Sequence, residues 1–261
     1  MITSSDAIAA RFAGLKAQGR KALVPYVTAG HPDRRRSVAL LQGLAGAGAD
    51  VIEVGVPFSD PLADGPVIQA SSQRALAHGI TFDAVLGIIA EAAVAVPVVL
   101  FSYLNPLLAA GPDALTRAAD AGARGVLVTD LPVGADPERE RWLGESPLAF
   151  IRLVAPTTPQ ERMRVIATHG RGFVYLISRL GVTGVRDALS PELPQTVARL
   201  REVTALPICV GFGVATDGQA AAVAALADGV VVGSAIVRAA DQSVERAVSF
   251  AASLRAAIDA A

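Results

Sequence analysis

AGADVIEVG, residues 47–55, sets a small-residue helix end, closed by Gly48, directly against a run of strand-forming side chains. The phrase returns loosely as AGARGVLVTD at 121–130, HGRGFVYLIS at 169–178 and ALADGVVVGS at 225–234. Each time a helical pattern stops at a glycine, and Gly48, Gly122, Gly170 and Gly229 are the predicted caps. A near-continuous apolar segment follows, as a parallel strand covered on both faces requires.

Working outward, strand-like runs lie at 22–27, 50–55, 97–102, 125–130, 148–154, 172–178, 207–213 and 229–234. Helical patterns at 35–48, 82–94, 112–122, 159–170, 191–203 and 216–229 fill intervals between them. Eight strands alternating with helices, with no Pro/Gly/Ser linker to divide them, predict an α/β protein: one (β/α)8 TIM barrel spanning 1–261. A doubly wound open sheet is the alternative; the even strand spacing favours closure. An extra helix precedes the first strand, with Ser4 or Ser5 as its cap, and a short helix, AIVRAA, follows the last. No GxGxxG follows the first strand, so nothing supports dinucleotide binding.

Hydrophobic residues make up 52% of the 261 and charged residues 18%, which permits a large core and argues against disorder. A formal charge of −1 gives no electrostatic case for nucleic acid or an anionic membrane as partner. The longest apolar run, near Ala92–Phe101, is interrupted by Pro97 and falls short of the ~20 residues that span a bilayer. The N-terminus lacks the basic and apolar blocks of a signal peptide, so a soluble, cytoplasmic protein is expected. The single cysteine, Cys209, reads as a small core residue.

In a barrel of this kind chemistry sits where strands end. Along DVIEVGV, Val51, Glu53 and Gly55 share one face and Ile52, Val54 and Val56 the other. Ile52 and Val54 suit the helix-facing side, so Glu53 points into the lumen near its C-terminal mouth. Desolvation there would raise its pKa and suit it to acid/base work; a buried glutamate tied to an arginine is the structural alternative. Asp60 and Asp64 follow on a loop stiffened by Pro57, Pro61 and Pro66. They can be turn-forming residues, or one can face a substrate and the other a neighbouring surface.

Strand 7 ends in GFG, Gly211, Phe212 and Gly213, and strand 8 in Gly233 and Ser234. Glycines there admit main-chain N–H groups to an anion, and a helix start adds partial positive charge, which together suit a phosphate. Glycines at strand ends also serve packing. The segment 178–193 after strand 6 reads as a lid, with Thr183 and Gly184 able to reach the phosphate; an ordinary flexible loop is the alternative. Imine chemistry needs a lysine, and neither of the two, Lys16 and Lys21, lies at a C-terminal strand end. No metal site is expected, because His169 falls at a helix end on the far face and His31 and His78 lack an HxH or HxxxH partner. Carboxylate acid/base chemistry on a small phosphorylated molecule remains.

The run ADVIEVGVPFSDPLADGPVIQ, with YLISRLGVTGVR, VGFGV and VVGSAIV, resembles the tryptophan synthase α subunits along essentially the whole chain. The strand-2 motif is highly specific, whereas GFG and GSA alone are shared by many phosphate-binding barrels. The resemblance implies retro-aldol cleavage of indole-3-glycerol phosphate to indole and glyceraldehyde 3-phosphate, in tryptophan biosynthesis. It makes Glu53 the catalytic acid/base and Asp64 the carboxylate that accepts a hydrogen bond from the indole N–H. Tyr26, Phe101, Leu127, Thr129 and Leu153 match the indole pocket and Tyr175 the glycerol portion. Thr183 and Gly184 match the lid, and Gly211, Phe212, Gly213, Gly233 and Ser234 the phosphate and ring pocket. The family often has phenylalanine at Tyr26, a smaller residue at Thr129 and a small one at Leu180, so pocket shape and lid closure depart from the pattern.

The resemblance also implies a partner, a β subunit that carries pyridoxal phosphate and receives indole through a tunnel in an α2β2 assembly. No cofactor is expected in this chain. Asp60 matches a loop residue that communicates with that subunit, and Asn105 and Pro106, in SYLNPLL, fall in the matching interface region. Two rival readings stay open: a stand-alone lyase releasing free indole, and a catalytically weak phosphate-binding regulatory subunit.

Overall fold

The computed structural model describes residues 6–177, 190–211 and 213–261. Its eight strands are β1 (Ala22–Thr28), β2 (Ile52–Gly55), β3 (Val98–Ser102), β4 (Ala123–Val128), β5 (Ala149–Val154), β6 (Val174–Ile177), β7 (Ile208–Gly211) and β8 (Gly229–Val232). Each pairs in parallel with the next, and β8 pairs with β1, so the sheet closes into a barrel. Closure, rather than the open alternative, is thereby established.

Alternation along the strands builds two cores. Val24, Tyr26, Val51, Val99, Phe101, Leu127, Ile151, Tyr175, Cys209 and Val231 fill the lumen. Leu23, Ile52, Val54, Leu100, Val126, Phe150, Leu176 and Val210 face the surrounding helices. Cys209 is the small buried residue its context predicts.

The helical layer comprises α1 (Asp6–Ala17), α2 (Arg34–Gly46), α3 (Pro66–Ala77), α4 (Phe82–Ala92), α5 (Leu104–Ala109) and α6 (Ala114–Asp120). It continues with α7 (Pro137–Gly144), α8 (Gln160–Thr168), α9 (Leu193–Arg201), α10 (Asp217–Ala224), α11 (Ser234–Gln242) and α12 (Val244–Asp259). The predicted leading helix is α1; its proposed caps, Ser4 and Ser5, lie outside the described residues. Ile8, Phe12 and Leu15, spaced along one face, join the lumen cluster, with Phe12 and Phe173 ring centroids 5.7 Å apart. This helix stoppers the N-terminal end, leaving the C-terminal end as the mouth.

At the stoppered rim, Asp50 is buried and accepts from Leu23 N at 2.9 Å, Arg11 Nη2 at 2.7 Å and Arg255 Nη1 at 2.9 Å. One carboxylate thus joins α1, α12 and the start of β1. Among the described residues, no single helix is long and apolar enough to cross a membrane.

Two predicted caps differ. Gly48 and Gly122 take φ of +94° and +113°, the left-handed conformation of a helix end. Gly170 does not, and Gly229 opens β8, where a Cβ would stand 2.7 Å from Cys209 Sγ. Gly229 serves close packing in the lumen, a demand that looks the same in sequence as a cap.

Candidate active site

Glu53 lies level with Tyr26 on β1 and Val99 on β3, its side chain in the lumen. It is 1% exposed, and neither carboxylate oxygen has a hydrogen-bond partner among the described residues. The arginine that the structural alternative required is therefore absent there; the buried strand arginine, Arg152, pairs with Glu140 at 2.8 Å on the helix-facing side. Burial raises the Glu53 pKa from 4.5 to about 8, so the group holds its proton at neutral pH.

Above Glu53 the β2–α3 loop turns back over the mouth, and Pro66 begins α3 where a missing N–H costs nothing. Asp64 is 7% exposed, with Oδ2 accepting from the Tyr103 hydroxyl at 3.1 Å. Burial lifts its pKa to about 6, the Tyr103 hydrogen bond opposing the rise. Tyr103 also accepts from Ala63 N at 2.9 Å, so one phenol fixes both loop and carboxylate. Gln69, on the first turns of α3, donates to the Asp64 carbonyl at 2.8 Å.

The two carboxylates share a space with Tyr26 and Tyr175, whose hydroxyls are both shifted upward by burial and by the charges of Glu53 and Asp64. Each tyrosine leans over a glycine on the next strand. A Cβ on Gly55 would stand 2.0 Å from the Tyr26 hydroxyl, and one on Gly211 would stand 2.1 Å from that of Tyr175. Tyr26 meets Phe101 edge-on, centroids 5.2 Å apart, forming an aromatic wall beside Glu53. Leu127, level with Phe101, is fully buried; Leu153 and Thr129 are half-buried, and Thr129 N donates to Ser102 O at 3.0 Å.

Across the mouth, β7 ends at Gly211, and Gly213 has φ of +98°. Gly233 caps α11, Ser234 is its first residue, and its first main-chain bond runs from Val237 N to Gly233 O. The N–H groups ahead of Val237 are the ones a helix start leaves for an anion. A proton-holding carboxyl, an ionisable one and an anion-receptive helix start thus surround one apolar pocket.

A sequence-family model described as "Tryptophan synthase alpha chain" matches residues 12–260. The chain belongs to the tryptophan synthase alpha chain family. It is 48% identical over 242 residues to the alpha chain of Gluconacetobacter diazotrophicus, covering 91% of this chain and 88% of that one. With the alpha chain of Geobacter sulfurreducens it shares 47% over 234 residues, covering 88% and 89%. Among solved structures, tryptophan synthase of Mycobacterium tuberculosis aligns with a TM-score of 0.89 at 36% identity, over 96% of this chain and 97% of that one. Tryptophan synthase subunit alpha of Legionella pneumophila aligns with a TM-score of 0.89 at 37% identity over 100% of both. As a tryptophan synthase alpha chain, the protein is a lyase of tryptophan biosynthesis that cleaves indole-3-glycerol phosphate, in a family that works with a β subunit.

Against the family's site, the structure brings Glu53, Asp64, Tyr26, Phe101, Tyr175, Gly211 at the end of β7 and Gly233, just after β8, to one mouth. Asp60 stands apart: it is exposed, its Oδ2 accepting from Ser59 Oγ at 2.5 Å. Asn105 on α5 is exposed and Pro106 half-buried, on the outer rim rather than in the pocket. Leu180, Thr183, Gly184 and Phe212 lie outside the described residues, as does the lid segment up to 189. Lys21 precedes β1, at the stoppered end. Among the described residues, no three His, Cys, Asp or Glu side chains gather as metal ligands. Tyr103 was missed: it follows β3 directly, where the strand-end rule points, but SYLNPLL reads first as an interface segment.

Proposed function

We propose that Glu53 is the acid/base that cleaves indole-3-glycerol phosphate and that Asp64 stabilises the charge that builds on the ring. The protonated Glu53 carboxyl delivers its proton to indole C3, breaking ring conjugation and leaving an indoleninium cation. Asp64, ionised above about pH 6, accepts a hydrogen bond from the ring N–H and offsets that positive charge. The bond from C3 to the side chain then breaks, its electron pair returning to the ring. Glu53, now a carboxylate, takes the hydroxyl proton as the side chain becomes an aldehyde. Indole and glyceraldehyde 3-phosphate leave, and Glu53 ends as it began, protonated.

The ring itself is the electron sink, so neither an imine nor a metal enters this scheme. Tyr26, Phe101, Leu127, Thr129 and Leu153 wall the ring, Tyr175 faces the glycerol portion, and Gly211, Gly213, Gly233 and Ser234 receive the phosphate; Phe212, Thr183 and Gly184 are assigned with them by family match. The observation that carries the reading is a buried glutamate without a hydrogen-bond partner among the described residues, facing the same pocket as a second carboxylate. A structural glutamate would be paired, because burying one alone is costly.

The outward-facing Asp60, Asn105 and Pro106, with the 86%-exposed Leu62, form the rim at which a β subunit would dock. In this reading the assembly is α2β2, pyridoxal phosphate belongs to the β subunit, and the complex works in the cytoplasm. The test is indole formation from indole-3-glycerol phosphate by the purified chain, alone and with β subunit. Cleavage that the β subunit accelerates is expected. Full activity alone would leave a stand-alone lyase, and no cleavage in either case would leave a regulatory subunit.

A further inference from the structure

His31, in the β1–α2 loop, is 2% exposed, yet neither ring nitrogen has a well-directed hydrogen bond among the described residues. Its Nε2 stands 3.1 Å from Oδ1 of Asp241, on the last turn of α11. The same oxygen accepts from Arg74 Nη1, on α3, at 2.5 Å. A buried imidazole in a sequence with three histidines calls for a reason, and its neighbours supply one.

The two helices that meet at Asp241 serve opposite ends of the substrate. α11 begins with Ser234 at the phosphate end. α3 follows directly on Asp64 and holds that residue's carbonyl through Gln69. α3 is also fastened to β1 by Ser71 Oγ and Thr28 Oγ1, 2.6 Å apart. A chain of contacts therefore runs from the phosphate helix through Asp241 and Arg74 to the second carboxylate.

We propose that Asp241 is a positioning residue: gripped by Arg74 and lodged against His31, it fixes the spacing between the phosphate end and the loop that presents Asp64. This rests on the catalytic reading above and extends it. A substrate anchored by its phosphate reaches the carboxylates only if that spacing is right. Arg74 and Asp241 are 55% and 33% exposed, and an ion pair so placed contributes little when water surrounds it. His31 removes water from one side. Burial lowers its pKa, against the opposing pull of Asp241, so its protonated form is disfavoured beside Arg74.

The test compares wild type with Asp241→Asn, Arg74→Ala and Arg74→Lys, measuring kcat and KM for indole-3-glycerol phosphate and thermal midpoint. Binding of glycerol 3-phosphate serves as a probe of the phosphate end alone. Asp241→Asn and Arg74→Ala should lose about tenfold in kcat while glycerol 3-phosphate affinity stays within about twofold, because misplacement of reacting groups by less than ~1 Å has effects of this size. The thermal midpoints should stay close to wild type, and Arg74→Lys, which keeps the charge, should retain most of the kcat that Arg74→Ala loses. Wild-type kcat in both disruptive variants would overturn the proposal. So would a joint fall in kcat, probe affinity and thermal midpoint, which marks a merely structural tie. A wild type that forms no indole would instead overturn the catalytic reading, and this one with it.

Discussion

Glu53 and Asp64 lie eleven positions apart in sequence, but their surroundings separate their proton affinities. Among the described residues nothing donates to Glu53, and burial raises its pKa to about 8; Tyr103 donates to Asp64, whose pKa rises only to about 6. Between those values one carboxyl is protonated and the other ionised, the pairing the mechanism requires. The profile of kcat/KM against pH should therefore be bell-shaped, with an acid limb near 6 from Asp64 and an alkaline limb near 8 from Glu53. A profile flat from 5 to 9 would contradict it. Tyr103→Phe removes the hydrogen bond that favours the Asp64 carboxylate, so the acid limb should move upward while the alkaline limb stays. Asp64→Asn should lose most of kcat with KM less affected; if KM collapses instead, Asp64 recognises the ground state.

At the scale of elements, the ends of β2 and β7 are shaped by what leans across them. Gly55→Ala places a methyl 2.0 Å from where the Tyr26 hydroxyl rests, and the tyrosine must swing into the pocket. Crowding of this kind costs about 1–3 kcal/mol, and kcat/KM should fall with it. At the opposite rim, Asp50→Ala leaves Arg255, 8% exposed, without its buried partner, and denaturant unfolding should show a loss of about 3–5 kcal/mol. Strands were legible because parallel strands covered on both sides read as apolar runs, and the recurring AGADVIEVG-like phrase marked their period. Glu53 was legible because alternation with Ile52 and Val54 left it one direction to point. The helices α3, α5 and α7 were not: Pro66 and Pro137 open two of them, the faces are short or mostly polar, and tertiary contacts rather than periodicity hold them. The long closing helix α12 was missed as well, although Ser243 caps it and Ala247, Ala251, Leu254 and Ile258 form its buried face. Gly229 and Tyr103 escaped for a related reason, since each answers to a side chain distant in sequence.

For the molecule as a whole, the active site is a site of stored instability. An unfolded chain would carry Glu53 ionised above its ordinary pKa of 4.5, whereas the folded one binds its proton up to about 8. The folded state holds the extra proton, so stability is fullest below 4.5 and is lost as pH rises, at about 1.4 kcal/mol per pH unit until the folded pKa is passed. Glu53→Gln has no proton to lose, so its stability advantage over wild type should widen from pH 5 to pH 8 and then level off; a constant gap would show that Glu53 is not protonated in the folded protein. The barrel thus keeps, at a cost, a group that a purely structural design would replace. The same variant is the most direct test of what that group is for. With indole-3-glycerol phosphate as substrate, Glu53→Gln should fold as wild type does and form indole roughly a thousandfold more slowly; turnover above a few per cent of wild type would contradict the assignment of Glu53 as the acid and base.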